Sequence, residues 1–361
     1  MTPSATHIEL NIQALRHNVR RVREYAPKAN IMAVIKANAY GHGLLAIASY
    51  LAEQVDAFAV ARIDEAICLR DAGVQGRILV LQGFSRLDEL ELLQGYQLDS
   101  VIHTIVQVEL LEAADLPSAI TAWLKIDTGM HRLGITPEQF VTIAQRLQQC
   151  ASVQKQIRLM THFANADDIQ DDKTTQQLQL FNDTTQHYCA EKSSANSAGI
   201  IAWPQAHLDW VRPGLMLYGV SPIFKQAAKE QGLQAVMSLY ARIIAIKQLK
   251  KGDPVGYGGT WIADKETRIG VVSIGYGDGY PRYAKQGTPV LINNQRVALI
   301  GRVSMDMITV DLTEYQHIKV GDQALMWGDG LPVEEIAAYA DTIPYTLLCG
   351  ITRRVQVVVK Q

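Results

Sequence analysis

The strongest constraint on the fold is a regular alternation of two kinds of segment between about residue 30 and about residue 215. Short apolar runs alternate with stretches whose apolar residues recur at helical spacing, as in 43–54, and this order predicts parallel strands joined by helices. The runs are nearly continuous in apolar residues, which is typical of a sheet covered on both faces. Seven or eight such units favour a closed (β/α)8 barrel, and an open doubly wound sheet is the alternative. The apolar runs are 31–36, 57–61, 78–82, 100–102, 119–127, 157–163 and 207–213.

The pattern changes after about residue 234 to alternation with a period of two, which is typical of half-buried β-strands. The Asn293-Asn294 pair lies within the apolar segment 289–301 and predicts a hairpin turn there. We therefore predict a barrel over residues 1–233 and a β-rich C-terminal domain over 234–361. The expected strands of the second domain are 238–249, 268–276, 289–301, 307–312 and 355–360.

Composition and charge exclude several classes of protein. The chain has 34 basic and 36 acidic residues and a formal net charge of −2, so no basic excess is available to bind nucleic acid. No apolar run reaches membrane-spanning length, and no apolar signal core follows the N-terminus, so we expect a cytoplasmic protein. Four widely separated cysteines predict free, packed thiols and no metal site.

A lysine follows the first apolar run, where a barrel strand reaches the mouth that carries the chemistry of such folds. Burying an ammonium group is costly, so Lys36 either extends to solvent or is used covalently, as a Schiff-base lysine is. Position alone does not separate these interpretations. The Gly41-His42-Gly43 loop that follows is a natural opening for the next helix and a suitable place for an anion.

The segment AVIKANAYGHG around Lys36 resembles the pyridoxal-phosphate lysine motif of alanine racemases. Further segments resemble that family in the same order and cover the whole chain. This resemblance implies a barrel followed by a β domain, in agreement with the periodicity, and pyridoxal 5'-phosphate as the cofactor. The further segments are 125–134, 161–167, 195–199, 208–219, 255–261, 274–282, 301–307 and 343–351.

The resemblance implies two catalytic bases. Lys36 would hold the cofactor and act on one face of the substrate, and Tyr257 would act on the other, because racemisation removes a proton from one side and returns it from the opposite side. Without the other motifs, the GYGG segment favours an ordinary aromatic residue of a glycine-rich turn at Tyr257. Arg212 would meet the pyridine nitrogen as a pure donor, although strand-end arginines commonly form surface ion pairs.

The remaining roles also come from the resemblance. Cofactor contacts are implied for Tyr40, His162, Asn196, Ser197, Gly214, Leu215 and Tyr345. Asn196 and Ser197 are also consistent with helix caps, and His162 with a core histidine. Arg132 and the Met305 backbone would bind the substrate carboxylate, with Lys125, carbamylated in many members, holding Arg132. Asp306 would orient the site, and Tyr276 and Tyr345 would narrow its entrance.

The chain departs from the family pattern at two positions. His131 stands where other members often have glycine, and its side chain is expected to point away from the cofactor. Ser193 stands where some members have a histidine that bonds the pyridine-facing arginine. Neither departure removes a primary catalytic group.

These features predict an alanine racemase that supplies D-alanine for peptidoglycan or serves alanine catabolism. We expect a homodimer with shared active sites, and no nucleic-acid or membrane partner. The alternatives are a broad-specificity racemase, a related amino-acid decarboxylase, and a non-catalytic cofactor-binding barrel. The decarboxylase motifs are not apparent, and the cofactor-binding barrels lack a β domain.

Overall fold

The computed structural model describes residues 4–360 and contains a closed barrel and a separate eight-stranded sheet. The strands are β1 (His7–Asn11), β2 (Asn30–Val34), β3 (Ala57–Val60), β4 (Arg77–Val80), β5 (Asp99–Ile102), β6 (Ala122–Lys125), β7 (Arg158–Met160), β8 (Lys192–Asn196), β9 (Trp210–Arg212), β10 (Met237–Leu249), β11 (Pro254–Val255), β12 (Trp261–Ile262), β13 (Thr267–Val272), β14 (Pro289–Ile292), β15 (Gln295–Ile300), β16 (Ile308–Asp311), β17 (Gln323–Trp327) and β18 (Gln356–Lys360). The right-handed helices are α1 (Ile12–Tyr25), α2 (Leu44–Leu51), α3 (Ile63–Asp71), α4 (Leu87–Gly95), α5 (Ile105–Ala113), α6 (Phe140–Gln149), α7 (Lys173–Thr185), α8 (Ser197–Ala202), α9 (Val333–Tyr339) and α10 (Pro344–Cys349).

Strands β2 to β9 form the predicted barrel. Each strand is parallel to the next, and β9 pairs back onto β2 with Trp210 opposite Asn30, so the sheet closes and the open alternative is excluded. All four residues of β3 are buried, as expected for a strand covered on both faces. The mouth at the carboxyl ends of these strands is where such barrels place their chemistry.

Strand β8 was not among the predicted apolar runs because its sequence, KSSAN, is polar. Its two serines are nevertheless fully buried. The Ser193 hydroxyl donates to the Trp210 carbonyl at 2.7 Å, and the Ser194 hydroxyl donates to the Ala206 carbonyl at 2.6 Å. A buried hydroxyl with a hydrogen-bond partner is tolerated in a core, which explains a polar strand inside the barrel wall.

The second sheet confirms the predicted β-rich C-terminal domain. Its strands follow the order β13-β16-β15-β14-β17-β10-β1-β18, and β13 also pairs with β10. Asn293 and Asn294 both have positive φ and form the predicted turn between β14 and β15. Strand β17 was not predicted.

The first strand of the described chain, β1, lies outside the closed barrel, although the sequence predicts a barrel domain over residues 1–233. It joins the second sheet, antiparallel to β10 and parallel to β18. Ile8 and Leu10 of β1 are fully buried there. The first and last strands of the described chain are therefore neighbours, and a boundary near residue 233 stays a prediction.

The cysteines and the helices bear on two further expectations. All four cysteines are free, but Cys150 is the buried one, while Cys68, Cys189 and Cys349 are exposed, so the packing role predicted for all of them fits one. None of the helices within residues 4–360 combines the length and the apolar character needed to cross a membrane.

Candidate active site

Lys36 lies just beyond β2 and begins a tight turn of unusual hand. Ala37–Tyr40 all have φ between 52° and 55°, in the left-handed region. Each non-glycine residue in that region costs roughly 1–2 kcal/mol, so the surroundings must impose the turn. Gly41 ends it where a Cβ atom would lie 2.0 Å from the Leu348 carbonyl oxygen of α10. The close approach of this helix therefore requires glycine.

The His42 side chain stabilises the same turn by bonding to two of its carbonyl groups. Its Nδ1 atom lies 3.0 Å from the Ala39 carbonyl and 2.9 Å from the Tyr40 carbonyl. Burial lowers the pKa of His42 to about 4, so the ring is neutral. Since both partners are carbonyl acceptors, Nδ1 carries the proton and donates.

A cavity of about 1400 Å³ opens at the barrel mouth beside this turn. The structure brings the predicted barrel residues together around it, with Tyr345 added from the second domain. They are Lys36, Tyr40, Lys125, Arg132, His162, Asn196, Ser197, Arg212, Gly214, Leu215 and Tyr345.

Arg212, at the end of β9, is buried in the cavity floor. It donates to the Ser193 hydroxyl at 2.5 Å, to the Thr161 carbonyl at 2.6 Å and to the Ser194 carbonyl at 3.1 Å. His162 Nδ1 lies 3.3 Å from Arg212 Nη2, and burial and this cation hold the pKa of His162 well below its usual range. The Arg212 guanidinium is therefore held by neutral acceptors. It does not form the surface ion pair that is common for arginines at strand ends. Burial lowers the pKa of Arg212 to about 10, so it stays charged at neutral pH.

The two cavity lysines are surrounded by positive charge. Burial and then Arg132 lower the pKa of Lys36. Burial, followed by Arg212 and Arg132, lowers the pKa of Lys125 to about 8. A lysine with a lowered pKa presents more of the neutral amine, which is the nucleophilic form.

The part of the cavity that Tyr40, Ser197 and Gly214 line, which we call the recess, lies at the start of α8. The Ser197 hydroxyl accepts from the Gly214 N–H at 2.8 Å, which leaves its own proton to donate elsewhere. A Cβ atom on Gly214 would lie 2.6 Å from the Tyr40 hydroxyl, so glycine keeps this recess open. Asn196 caps α8 by accepting from the Gly199 N–H at 2.9 Å, which confirms the capping interpretation for that residue.

The loop that carries Arg132 is held by one carboxylate. Asp127 Oδ1 accepts from the backbone N–H groups of Gly129 at 3.0 Å, Met130 at 3.0 Å and His131 at 3.1 Å. The His131 side chain is largely exposed beside the other Asp127 oxygen, as expected for a residue that points away from the cavity.

The other predicted residues lie together on the second domain, in a surface that we call the tyrosine face: Tyr257, Tyr276, Met305 and Asp306. Tyr257 is 69% exposed, Tyr276 41% and Met305 52%. The Gly277 N–H donates to the Met305 carbonyl at 2.8 Å, which joins two of its loops, and Arg354 donates to Asp306 at 2.8 Å. None of these four residues lines the Lys36 cavity, so a single chain does not bring Tyr257 to Lys36.

Comparison with known proteins identifies the family. Residues 10–222 match the family model for the alanine racemase N-terminal domain, and residues 236–359 match that for the C-terminal domain. The chain belongs to the alanine racemase family. The alanine racemase of Aeromonas hydrophila is 50% identical over 96% of this chain and 97% of its own length. That of Vibrio cholerae is 50% identical over 96% of each chain.

Solved alanine racemase structures match the whole architecture. The crystal structure of the biosynthetic enzyme from Pseudomonas aeruginosa gives a TM-score of 0.96 at 42% identity, and covers 100% of both chains. The enzyme from Acinetobacter baumannii gives 0.92 at 35% identity, over 99% of this chain and 100% of its own. The fold prediction is therefore confirmed over the full barrel and β domain.

Alanine racemases are isomerases that use pyridoxal 5'-phosphate, and the cavity fits this cofactor. Lys36 offers an amine of lowered pKa to an aldehyde, and Arg212 offers a fixed donor to a ring nitrogen. The recess between Gly214 and Tyr40, with the Ser197 hydroxyl at its edge, suits a phosphate group.

Sequence reasoning missed three residues that this site uses. Asp127 begins an Asp-Thr-Gly turn, and the capping tendency of aspartate in such turns could have identified it. Thr161 supplies a carbonyl to Arg212, which no side-chain pattern signals. Glu65 accepts from the Ala37 N–H at 2.6 Å and resembles an ordinary helix start in the sequence.

Proposed function

We propose that this chain interconverts L-alanine and D-alanine with pyridoxal 5'-phosphate, and that Lys36 and Tyr257 act as the two bases. The observation that carries the proposal is the pairing, in one cavity, of a strand-end lysine of lowered pKa with a buried arginine that has no carboxylate among its hydrogen-bond partners. Two bases on opposite faces are what racemisation needs.

The cofactor, when bound, withdraws electrons from the substrate Cα and so acidifies its proton. Lys36 would bind the cofactor aldehyde, and Arg212 would donate to the ring nitrogen and leave it unprotonated. By leaving this nitrogen unprotonated, Arg212 would weaken the electron withdrawal that the cofactor supplies and so disfavour transamination. The phosphate would lie against Ser197, Gly214, Leu215, Tyr40 and Tyr345, with His162 beside the ring and Asn196 capping α8.

The substrate carboxylate would meet the Arg132 guanidinium and the Met305 N–H. Arg132 suits this role because a guanidinium binds a carboxylate through two parallel hydrogen bonds. A carbamate on Lys125 would replace a cation beside Arg132 with an anion and so hold the guanidinium. Tyr276 and Tyr345 would narrow the entrance, with Asp306 fixing the Met305 loop, and this small pocket favours alanine over lysine or arginine.

We further propose a two-fold homodimer in which the tyrosine face of one copy covers the Lys36 cavity of the other. The support is that Tyr257 and Met305 are largely exposed and none of the face lines the cavity of its own chain. A base exposed to water is poorly placed for a proton transfer that needs a fixed geometry. A two-fold axis would complete two equivalent sites at once.

Hybrid dimers test the shared site. Lys36→Ala and Tyr257→Ala should each be inactive, and a mixture allowed to exchange subunits should recover activity. With random pairing, about half of the dimers are hybrids and about a quarter of the sites carry both bases. Both substitutions in one chain should abolish recovery. Hybrids that form but stay inactive would show that both bases come from one chain.

Loss of optical rotation from L-alanine without release of carbon dioxide tests the reaction itself. Gas release would favour the decarboxylase, and equal efficiency with lysine would favour a broad-specificity racemase. We place the reaction in the cytoplasm, where its D-alanine would enter peptidoglycan or its racemisation would serve alanine catabolism.

A further inference from the structure

Two successive barrel helices begin with almost the same four residues. Arg-Ile-Asp-Glu (62–65) starts α3, and Arg-Leu-Asp-Glu (86–89) starts α4. In each, the arginine pairs with the aspartate two positions later, at 2.9 Å in α3 and 2.8 Å in α4. A glutamate three residues after the N-cap is a common way to satisfy free backbone N–H groups at a helix start. Capping alone therefore predicts the same role for both glutamates.

The structure separates the two. Glu89 acts locally, because its Oε2 accepts from the N–H of Ser85 at 2.6 Å and from the hydroxyl of the same residue at 3.1 Å. Glu65 Oε2 makes comparable local contacts, with the Ala61 N–H at 2.8 Å and the Arg62 N–H at 3.2 Å. Its other oxygen, Oε1, accepts from the Ala37 N–H at 2.6 Å, in the preceding βα loop.

Ala37 directly follows Lys36 and is the first residue of the left-handed turn. We propose that Glu65 is a positioning residue for Lys36, which fixes the direction of the lysine side chain by holding the first amide of this strained turn. The inference rests on the role proposed above for Lys36.

Two physical arguments support this assignment. Four consecutive left-handed residues are costly, so the turn needs fixed partners, and the Glu65 carboxylate holds its first N–H. The Glu65 carboxylate also raises the pKa of Lys36, opposite to the effect of burial and of Arg132. A glutamine has one acceptor oxygen, so Glu65→Gln cannot serve both sites, and the two N–H groups at the α3 N-terminus compete for that oxygen with the single N–H of Ala37.

The test compares Glu65→Gln with the matched control Glu89→Gln in the purified holoenzyme. Both lose a negative charge at a helix N-terminus, and both should lower the melting temperature by a similar small amount. Hydrogen exchange of the 37–40 amides should become about tenfold faster or more in Glu65→Gln and stay unchanged in Glu89→Gln. The reason is that only Glu65→Gln takes the carboxylate acceptor from the Ala37 N–H. We expect kcat for alanine to fall by about 10- to 100-fold in Glu65→Gln, with KM changed by less than about threefold, because a misplaced base slows chemistry more than binding.

Unchanged exchange in Glu65→Gln, or an equal fall of kcat in both variants, would overturn the proposal. Glu65→Asp keeps the charge and the helix cap but is one methylene too short for Ala37, so it should melt like the wild type and still exchange faster. The exchange measurement does not depend on the proposed function. If the cofactor were mapped to another lysine while exchange still changed, the role of Lys36 would fail and the hold of Glu65 on the turn would stand.

Discussion

Arg212 donates to the Ser193 hydroxyl at 2.5 Å, and that hydroxyl donates in turn to the Trp210 carbonyl at 2.7 Å. A short neutral relay therefore runs from Arg212 through Ser193 of β8 and back to the backbone of β9, the strand that carries Arg212. The position that some members fill with histidine is filled here by a hydroxyl small enough for the barrel wall. The relay adds no charge, so the Arg212 guanidinium keeps its full positive charge toward the cavity.

Ser193→Ala removes this relay and leaves a buried Arg212 donor without its acceptor. We expect the free energy of unfolding to fall by about 1–3 kcal/mol. Ser194→Ala is the matched control, because it also removes a buried, bonded hydroxyl but one that bonds Ala206. Denaturant unfolding should show a similar loss in both variants, whereas the ratio of transamination to racemisation should change in Ser193→Ala only. A change in that ratio in both variants would contradict the relay.

Arg212→Glu replaces a donor with a carboxylate that can protonate a pyridine ring. A protonated ring withdraws electrons more strongly, so racemisation should slow while transamination increases. A long-wavelength absorbance band should appear when alanine is added. An unchanged spectrum together with an unchanged ratio of side reaction to racemisation would show that Arg212 does not face the ring.

Gly214→Ala closes the recess proposed for the phosphate, because the added Cβ atom would lie 2.6 Å from the Tyr40 hydroxyl. Overpacking of this kind costs about 1–3 kcal/mol, so the affinity for pyridoxal phosphate should fall by about tenfold or more. Cofactor retention after dialysis measures the loss. Gly76→Ala is the control, since no atom lies within 4 Å of its added Cβ. Equal retention by both variants would place the phosphate elsewhere.

Lys125 should take up carbon dioxide, because its neutral amine can attack the carbon to give a carbamate and release one proton. With a pKa of about 8, roughly half of the amine is neutral at pH 8. A carbamate resonance should appear by NMR with ¹³C-labelled carbon dioxide and weaken as the pH falls below 8, where the ammonium form dominates. Lys125→Ala should remove the signal, and Lys155→Ala, at an exposed lysine, should retain it. A signal that survives Lys125→Ala would exclude this site.

The barrel was predictable because its strands are apolar on both faces and its helices have one apolar face. The same logic missed β8, whose buried serines are satisfied by carbonyls that only the folded barrel supplies. It also could not place β1, because five residues carry no information on which sheet they join. The pairing of β1 with β10 and β18 depends on strands that are distant in the sequence, so a local pattern does not indicate it.

The site residues that belong to sequence motifs, such as Lys36 and Arg212, were predictable. The features that depend on backbone geometry were less so. The four positive φ values after Lys36 occur in two alanines, an asparagine and a tyrosine, and of these residue types only asparagine favours the left-handed region. Glu65 and Glu89 have nearly identical local sequences and different partners. Their difference comes from the packing of neighbouring βα units.

The position of β1 also has a consequence for synthesis on the ribosome. Residues 7–11 emerge before the barrel, but both of their partner strands come after it, and β18 is the last strand of the described chain. Strand β1 therefore has no strand partner while the ribosome synthesises the barrel. In the finished sheet β1 lies between β10 and β18. A C-terminal domain expressed alone would therefore leave an unpaired edge on each of these two strands and tend to aggregate.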